Sequence, residues 1–75
     1  MRGPDRSEIY EYVRAHPDTD VRRIVEDLYP DATPYEIHYM RGWVSRHLTT
    51  LREKGDIVGE RTQGSGRMKI WRAVA

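Results

Sequence analysis

Between Pro34 and Gly55 lie 20 residues without a proline, and Gly42 is the one glycine among them. A stretch of that length with no strong breaker can be a single helix, and its apolar residues are spaced for one. Ile37, Met40, Val44, Leu48 and Leu51 step by 3, 4, 4 and 3, which puts them on one stripe of a 3.6-residue helix. Both ends carry boundary signals. Thr33-Pro34-Tyr35-Glu36 offers a capping threonine, a proline at the first helical position and a glutamate at the third. Gly55, directly behind Lys54, suits a left-handed C-terminal cap. The spacing therefore predicts a helix over about 34–54, some 31 Å long at about 1.5 Å per residue. Gly42 costs it on the order of 1 kcal/mol relative to alanine. A break there would leave two shorter helices, but the unbroken stripe favours one.

The flanking segments repeat the logic. Asp5 and Glu8 stand in capping-box spacing, and Ile9, Tyr12, Val13 and His16 follow at i, i+3, i+4, i+7. Pro17 ends this helix, expected over about 5–16. Asp18, Thr19 or Asp20 can cap a second helix over about 19–29, with Val21, Ile24, Val25, Leu28 and Tyr29 on its apolar face and Pro30 closing it. Beyond Gly55 the pattern changes. Ile57-Val58 and Met68–Val74 are rich in β-formers and are separated by Gln63-Gly64-Ser65-Gly66, which predicts an antiparallel hairpin over about 57–74. A hairpin alone is marginal in water and must pack on the helices. Trp71 is expected as a core plug beneath it, although alternation leaves open whether Ile70 or Trp71 points inward. The fold class is α+β, mostly helical, with residues 1–75 as one domain.

A 75-residue chain buries only about 60% of its unfolded surface, and without a cysteine it has no cross-link to compensate. No apolar run approaches the roughly 20 residues of a membrane span, and Met1-Arg2-Gly3-Pro4-Asp5 lacks a signal-peptide core. A soluble, cytoplasmic protein is expected. The net charge of +1 hides an asymmetry. Residues 1–36 hold five arginines against nine acidic residues, a net of −4, whereas residues 37–75 hold eight Lys/Arg against three, a net of +5. A basic half joined to an acidic half suggests a one-sided surface suited to a nucleic acid.

Three helices followed by a hairpin outline a winged helix, and particular residues sharpen the likeness. Ile9–Pro17 resembles the first helix of many prokaryotic winged-helix regulators, and Val21–Leu28 their second. Val44-Ser-Arg-His-Leu-Thr-Thr-Leu-Arg-Glu-Lys-Gly-Asp-Ile57 resembles their recognition helix and its exit into the wing. That pattern is shared by the multiple-antibiotic-resistance, arsenical-resistance and penicillinase-repressor types of regulator, so it points to the superfamily rather than to a branch. The resemblance spans nearly the whole chain, with one departure: the start at Thr33-Pro34 lengthens the third helix by about two turns. It implies a small DNA-binding transcriptional regulator on the nucleoid, with the third helix in the major groove and the wing on the flanking backbone or minor groove.

Unrolled at about 100° per residue from Val44, the third helix carries Arg41, Arg52, Ser45, His38 and Thr49 on one flank and Arg46 beyond them. Ser45 and Thr49 are short and polar and let the helix approach a groove closely. Arg46 is long and forked, suited to guanine or to phosphate. Arg41 and Arg52 suit phosphates. His38, Arg41, Ser45, Arg46, Thr49 and Arg52 are thus the candidate helix contacts. Arg61, Gln63, Ser65, Arg67 and Lys69 are the candidate wing contacts. Tyr35, Tyr39 and Trp43, at i, i+4, i+8, form an aromatic ridge. The ridge either packs against the first two helices or makes a homodimer or partner surface. An alternative to DNA binding is therefore a winged-helix protein-interaction module using that ridge, and structured RNA is a further potential ligand.

Catalytic and metal chemistry find little support. His38 and His47 lie nine residues apart on opposite sides of a helix, His16 belongs to another segment, and no thiolate exists. Ser45-Arg46-His47 lacks the glycines of a nucleophile elbow, and Gly64-Ser65-Gly66 is followed by no phosphate-loop lysine. No enzyme, cofactor, metal or small-molecule ligand is expected.

Overall fold

The computed structural model describes residues 3–61 and 69–74. Helices α1 (Arg6–Ala15), α2 (Val21–Leu28) and α3 (Pro34–Glu53) precede strands β1 (Ile57–Arg61) and β2 (Lys69–Ala73), which pair antiparallel. The fold is α+β and mostly helical: three helices and one two-stranded hairpin.

Each helix begins where a side chain can satisfy its free N–H groups. Asp5 accepts from the Glu8 N–H at 2.8 Å, and Asp20 from the Arg23 N–H at 2.9 Å. Of the three residues able to cap α2, Asp20 is the one used. Asp18 is left-handed at φ 64° and Thr19 is drawn into a bridge with the hairpin, so α2 starts later than the spacing implied. At α3 the expected capping box is complete: Thr33 Oγ1 accepts from the Glu36 N–H at 3.2 Å, and the Glu36 carboxylate accepts from the Thr33 N–H at 2.9 Å. α3 runs unbroken through Gly42 for 20 residues. It ends in a Schellman motif, with Gly55 at φ 84° donating to the Arg52 carbonyl at 3.0 Å and Asp56 to the Leu51 carbonyl at 3.0 Å.

The core lies on one side of α3. Met40, Val44, Leu48 and Leu51 are buried there against Ile9, Tyr12 and Val13 of α1, Ile24 and Val25 of α2, and Ile57 and Trp71 of the hairpin. Ile37 is half-buried at the margin of this stripe. His16 departs from expectation. It is exposed as the C-cap of α1, where its ring stacks on Tyr12 with centroids 4.1 Å apart rather than entering the core. Tyr12 also donates its hydroxyl to Asp27, tying α1 to α2. Burial first, and then this hydrogen bond, raises the Tyr12 pKa above its ordinary value.

Trp71 settles the inward-facing position of β2, being 4% exposed while Ile70 is half-buried. Its N–H donates to the Thr19 carbonyl at 2.7 Å, so the loop between α1 and α2 adds a one-residue bridge to the free edge of β2. On the outer face Arg72 pairs with Asp18 and, at 3.2 Å, with Glu60. The hairpin is thus fastened by a side-chain plug, a backbone bridge and an ion pair. Among the described residues, no helix is long and apolar enough to cross a membrane.

Two outcomes follow for stability. Gly55→Ala places a Cβ in the left-handed region and lowers the unfolding free energy by about 1–2 kcal/mol, measured by urea denaturation. The hydrogen bonds from Thr33 hold the Glu36 carboxyl below its ordinary value of 4.5. A depressed carboxyl contributes stability above its unfolded pKa and loses it as pH falls through the folded value. Stability therefore falls below about pH 4.5 in the native chain, and Glu36→Gln flattens that part of the profile.

Candidate functional site

With one side of α3 given to the core, the opposite arc faces solvent. His38, Arg41, Ser45, Arg46, Thr49 and Arg52 are all exposed, as the unrolling required. They lie along about 14 residues of a continuous helix, roughly 21 Å of its length. Thr49 donates its hydroxyl to the Ser45 carbonyl at 3.0 Å, and Thr50 to the Arg46 carbonyl at 3.1 Å. Thr49 therefore presents oxygen lone pairs outward, leaving donation to the arginines and Ser45.

The arginines of the two halves are treated differently. Arg14 pairs with Glu11 at 3.8 Å, Arg22 with Glu26 at 2.8 Å and Arg23 with Asp20 at 3.9 Å. Each is one helical turn from its partner, so the cations of α1 and α2, Arg6 apart, are answered locally. Arg41, Arg46 and Arg52 of α3, with Lys54, Arg61 and Lys69 beyond it, have no carboxylate partner among the described residues. Arg72 is the exception in the basic half, held by Asp18 and Glu60. That clamp joins residues 54 apart in the chain, and no local spacing signals it.

The hairpin concentrates the same feature. The register sets Arg61 directly opposite Lys69, two residues beyond the Gly59–Trp71 pair and on the same face of the ribbon. Like charges directly opposite one another destabilise a two-stranded ladder. Lys69 is relieved in part by lying over the Trp71 ring, its Nζ 5.0 Å from the centroid. Gly59 makes that arrangement fit, since a Cβ there would come within 2.8 Å of Lys69 Cε and 2.9 Å of the Trp71 ring. Of the remaining expected hairpin contacts, Gln63, Ser65 and Arg67 lie outside the described residues.

The aromatic ridge divides instead of acting as a unit. Trp43 is half-buried, but against the N-terminal segment rather than as part of a ridge laid on α1 and α2. Its Nε1 donates to the Pro4 carbonyl at 2.7 Å, Gly3 lies against the indole, and His47 meets it edge-on at 5.5 Å. Tyr35 and Tyr39 remain 79% and 46% exposed. Packing of the whole ridge, one of its two expected roles, therefore does not occur. The helix rotates by about 100° per residue, and three aromatics at i, i+4, i+8 drift around it until only Trp43 reaches the body of the domain.

A cleft of about 330 Å³ opens where the α2–α3 loop meets α3, between Leu28, Tyr29, Asp31, Glu36 and Met40. Apart from Met40 its lining comes from the acidic half, and no basic side chain lines it. No group of three potential metal ligands occurs among the described residues.

The like-charge pair gives a direct test. Arg61→Glu converts Arg61–Lys69 into an opposite-charge pair and stabilises the fold by about 0.2–1 kcal/mol, read as a rise in the urea midpoint. A fall would show that Arg61 has a stabilising role in the fold. No known protein-family model, curated protein or solved structure matches this chain.

Proposed function

We propose that the chain is a winged-helix DNA-binding domain that acts as a transcriptional regulator, with α3 in the major groove and the hairpin on the flanking backbone. The observation that carries this reading is the partition of the cations. Arg14, Arg22 and Arg23 are paired within one turn of their helices, while Arg41, Arg46 and Arg52 of α3 and the Arg61–Lys69 pair at the far end of the described ladder have no carboxylate partner among the described residues. An unpaired, exposed arginine adds little to the stability of a small fold. A polyanion supplies the missing partners and releases its own counterions on binding.

Within this reading the roles differ by reach. Arg46, near the middle of the exposed arc, is the base-reading side chain, with Ser45 and Thr49 allowing close approach. Arg41, Arg52, Arg61 and Lys69 hold the phosphates and set the register. A module of this size covers a half-site, so two copies on a palindromic site would supply the specificity of an operator.

The test is a salt titration of binding to random and to genomic duplex fragments. Log affinity falls linearly with log salt, with a slope of about −0.9 for each neutralised phosphate. Arg46→Ala changes the order of preference among sequences. Arg52→Ala and Arg61→Ala weaken all sequences alike, each making the slope shallower by about 0.9. Absence of binding to any duplex at about 50 mM salt overturns the reading.

A further inference from the structure

Gly42 has no role in the fold that would call for glycine. It sits in the middle of a 20-residue helix, its backbone is helical, and a Cβ built there would meet nothing within 4 Å. The contrast with the chain's other described glycines is direct. Gly55 has a positive φ, and Gly3 and Gly59 have indole rings where a Cβ would go. An alanine at position 42 would strengthen the helix without touching a neighbour, so any requirement for glycine comes from outside the monomer.

What surrounds Gly42 indicates the kind of ligand. Its neighbours one turn away on either side are His38, Tyr39, Ser45 and Arg46, and all four are exposed. Each carries a hydrogen-bond donor, so a bare patch of helix backbone is rimmed by donors. Tyr35 continues the same arc toward the start of α3. We infer that the ligand-contacting face of α3 is centred on Gly42 and extends through Tyr39 to Tyr35, with duplex DNA as its occupant. This rests on the DNA-binding reading and enlarges it. The two exposed tyrosines become part of the nucleic-acid surface, their hydroxyls donating to phosphates at the N-terminal end of the contact while Arg52 does so at the other.

Charge selects the occupant. The exposed arc of α3 holds Arg41, Arg46 and Arg52 against one acid, Glu53. A second copy laid on this face would bring two cationic surfaces together with few carboxylates to answer them, whereas a duplex presents phosphates on both walls of its groove. The groove is about 12 Å wide and a helix with its side chains about 10–12 Å across. A missing side chain at the point of deepest entry therefore changes the fit directly. A methyl group there pushes the surfaces apart by a fraction of its own diameter, and a radial gap of about 0.5–1 Å forfeits a quarter to a half of each contact.

The decisive variant is Gly42→Ala, which separates binding from folding because it should stabilise the protein. The expected result is a rise in Tm of about 4–8 °C together with roughly tenfold weaker binding to sonicated random-sequence duplex DNA at about 50 mM salt. Tyr39→Phe, which removes only the hydroxyl, weakens binding with Tm unchanged. Unaltered duplex affinity in Gly42→Ala overturns the inference, as does a fall in Tm, which would place the glycine requirement inside the fold. A loss of sedimentation mass in the variant also overturns it, in favour of a second copy as the occupant. If the native chain binds no duplex, the functional reading and this inference fall together. If the native chain binds and Gly42→Ala binds equally well, only the inference falls.

Discussion

The buried stripe of α3 is the contact on which the other elements depend. Met40, Val44, Leu48 and Leu51 supply the surface against which α1, α2 and the hairpin pack, and among the described residues the buried side chains form this single cluster. A domain this small has too little interior to surround a helix, so it uses one side only. The consequence is geometric. The arc from Tyr35 through His38, Gly42 and Ser45 to Thr49 is exposed along most of α3, and the capping box at Thr33–Glu36 and the Schellman turn at Gly55 fix how long that exposed side is. The features that end the helix therefore also set the extent of the candidate interface.

The hairpin depends on the same stripe at one remove. A two-stranded ribbon is not stable alone, and this one is held by Trp71 in the core and by the Thr19 bridge to its free edge. The bridge has a cost. Thr19 Oγ1 and Trp71 Nε1 are both buried without a hydrogen-bond partner among the described residues, and burying an unsatisfied polar group is unfavourable. The backbone bond between the same two residues and the packing of the indole offset it. The Asp18–Arg72–Glu60 cluster adds an exposed ion pair on the outer face, where solvent screening leaves it modest. The α1–α2 loop thereby fixes β2 at Trp71 and Arg72, within three residues of Lys69 in the pair that ends the described ladder.

The legibility of this molecule in its sequence follows the range of the interactions. Features set within one or two turns were readable: the stripe of α3, its two caps, the continuity through Gly42, the hairpin and the exposed candidates from His38 to Arg52. Contacts joining distant residues were not. Nothing local marks Asp18 for Arg72, Thr19 for Trp71, or Pro4 for Trp43. His16 shows the limit of periodicity itself, because it has the right spacing but falls one residue past the last helical turn, where the backbone no longer directs it inward. Packing of the aromatic ridge on α1 and α2 fails for a related reason. An i, i+4, i+8 series looks like a face on paper, yet accumulated rotation carries Tyr35 and Trp43 into different surroundings.

Among the described residues, local rules are broken chiefly on the exposed arc of α3 and at the far end of the hairpin ladder. Gly42 weakens a helix that gains nothing from it, Arg61 and Lys69 oppose like charges in a two-stranded ladder, and Arg41, Arg46 and Arg52 have no carboxylate partner among the described residues while Arg14, Arg22, Arg23 and Arg72 are paired. Each departure alone is small, on the order of 1 kcal/mol or less. A single substitution would relieve either of the first two, alanine at position 42 or a glutamate opposite Lys69. Under the DNA-binding reading proposed above, a ligand rather than the fold is what these side chains on the exposed arc of α3 and at the far end of the ladder would satisfy.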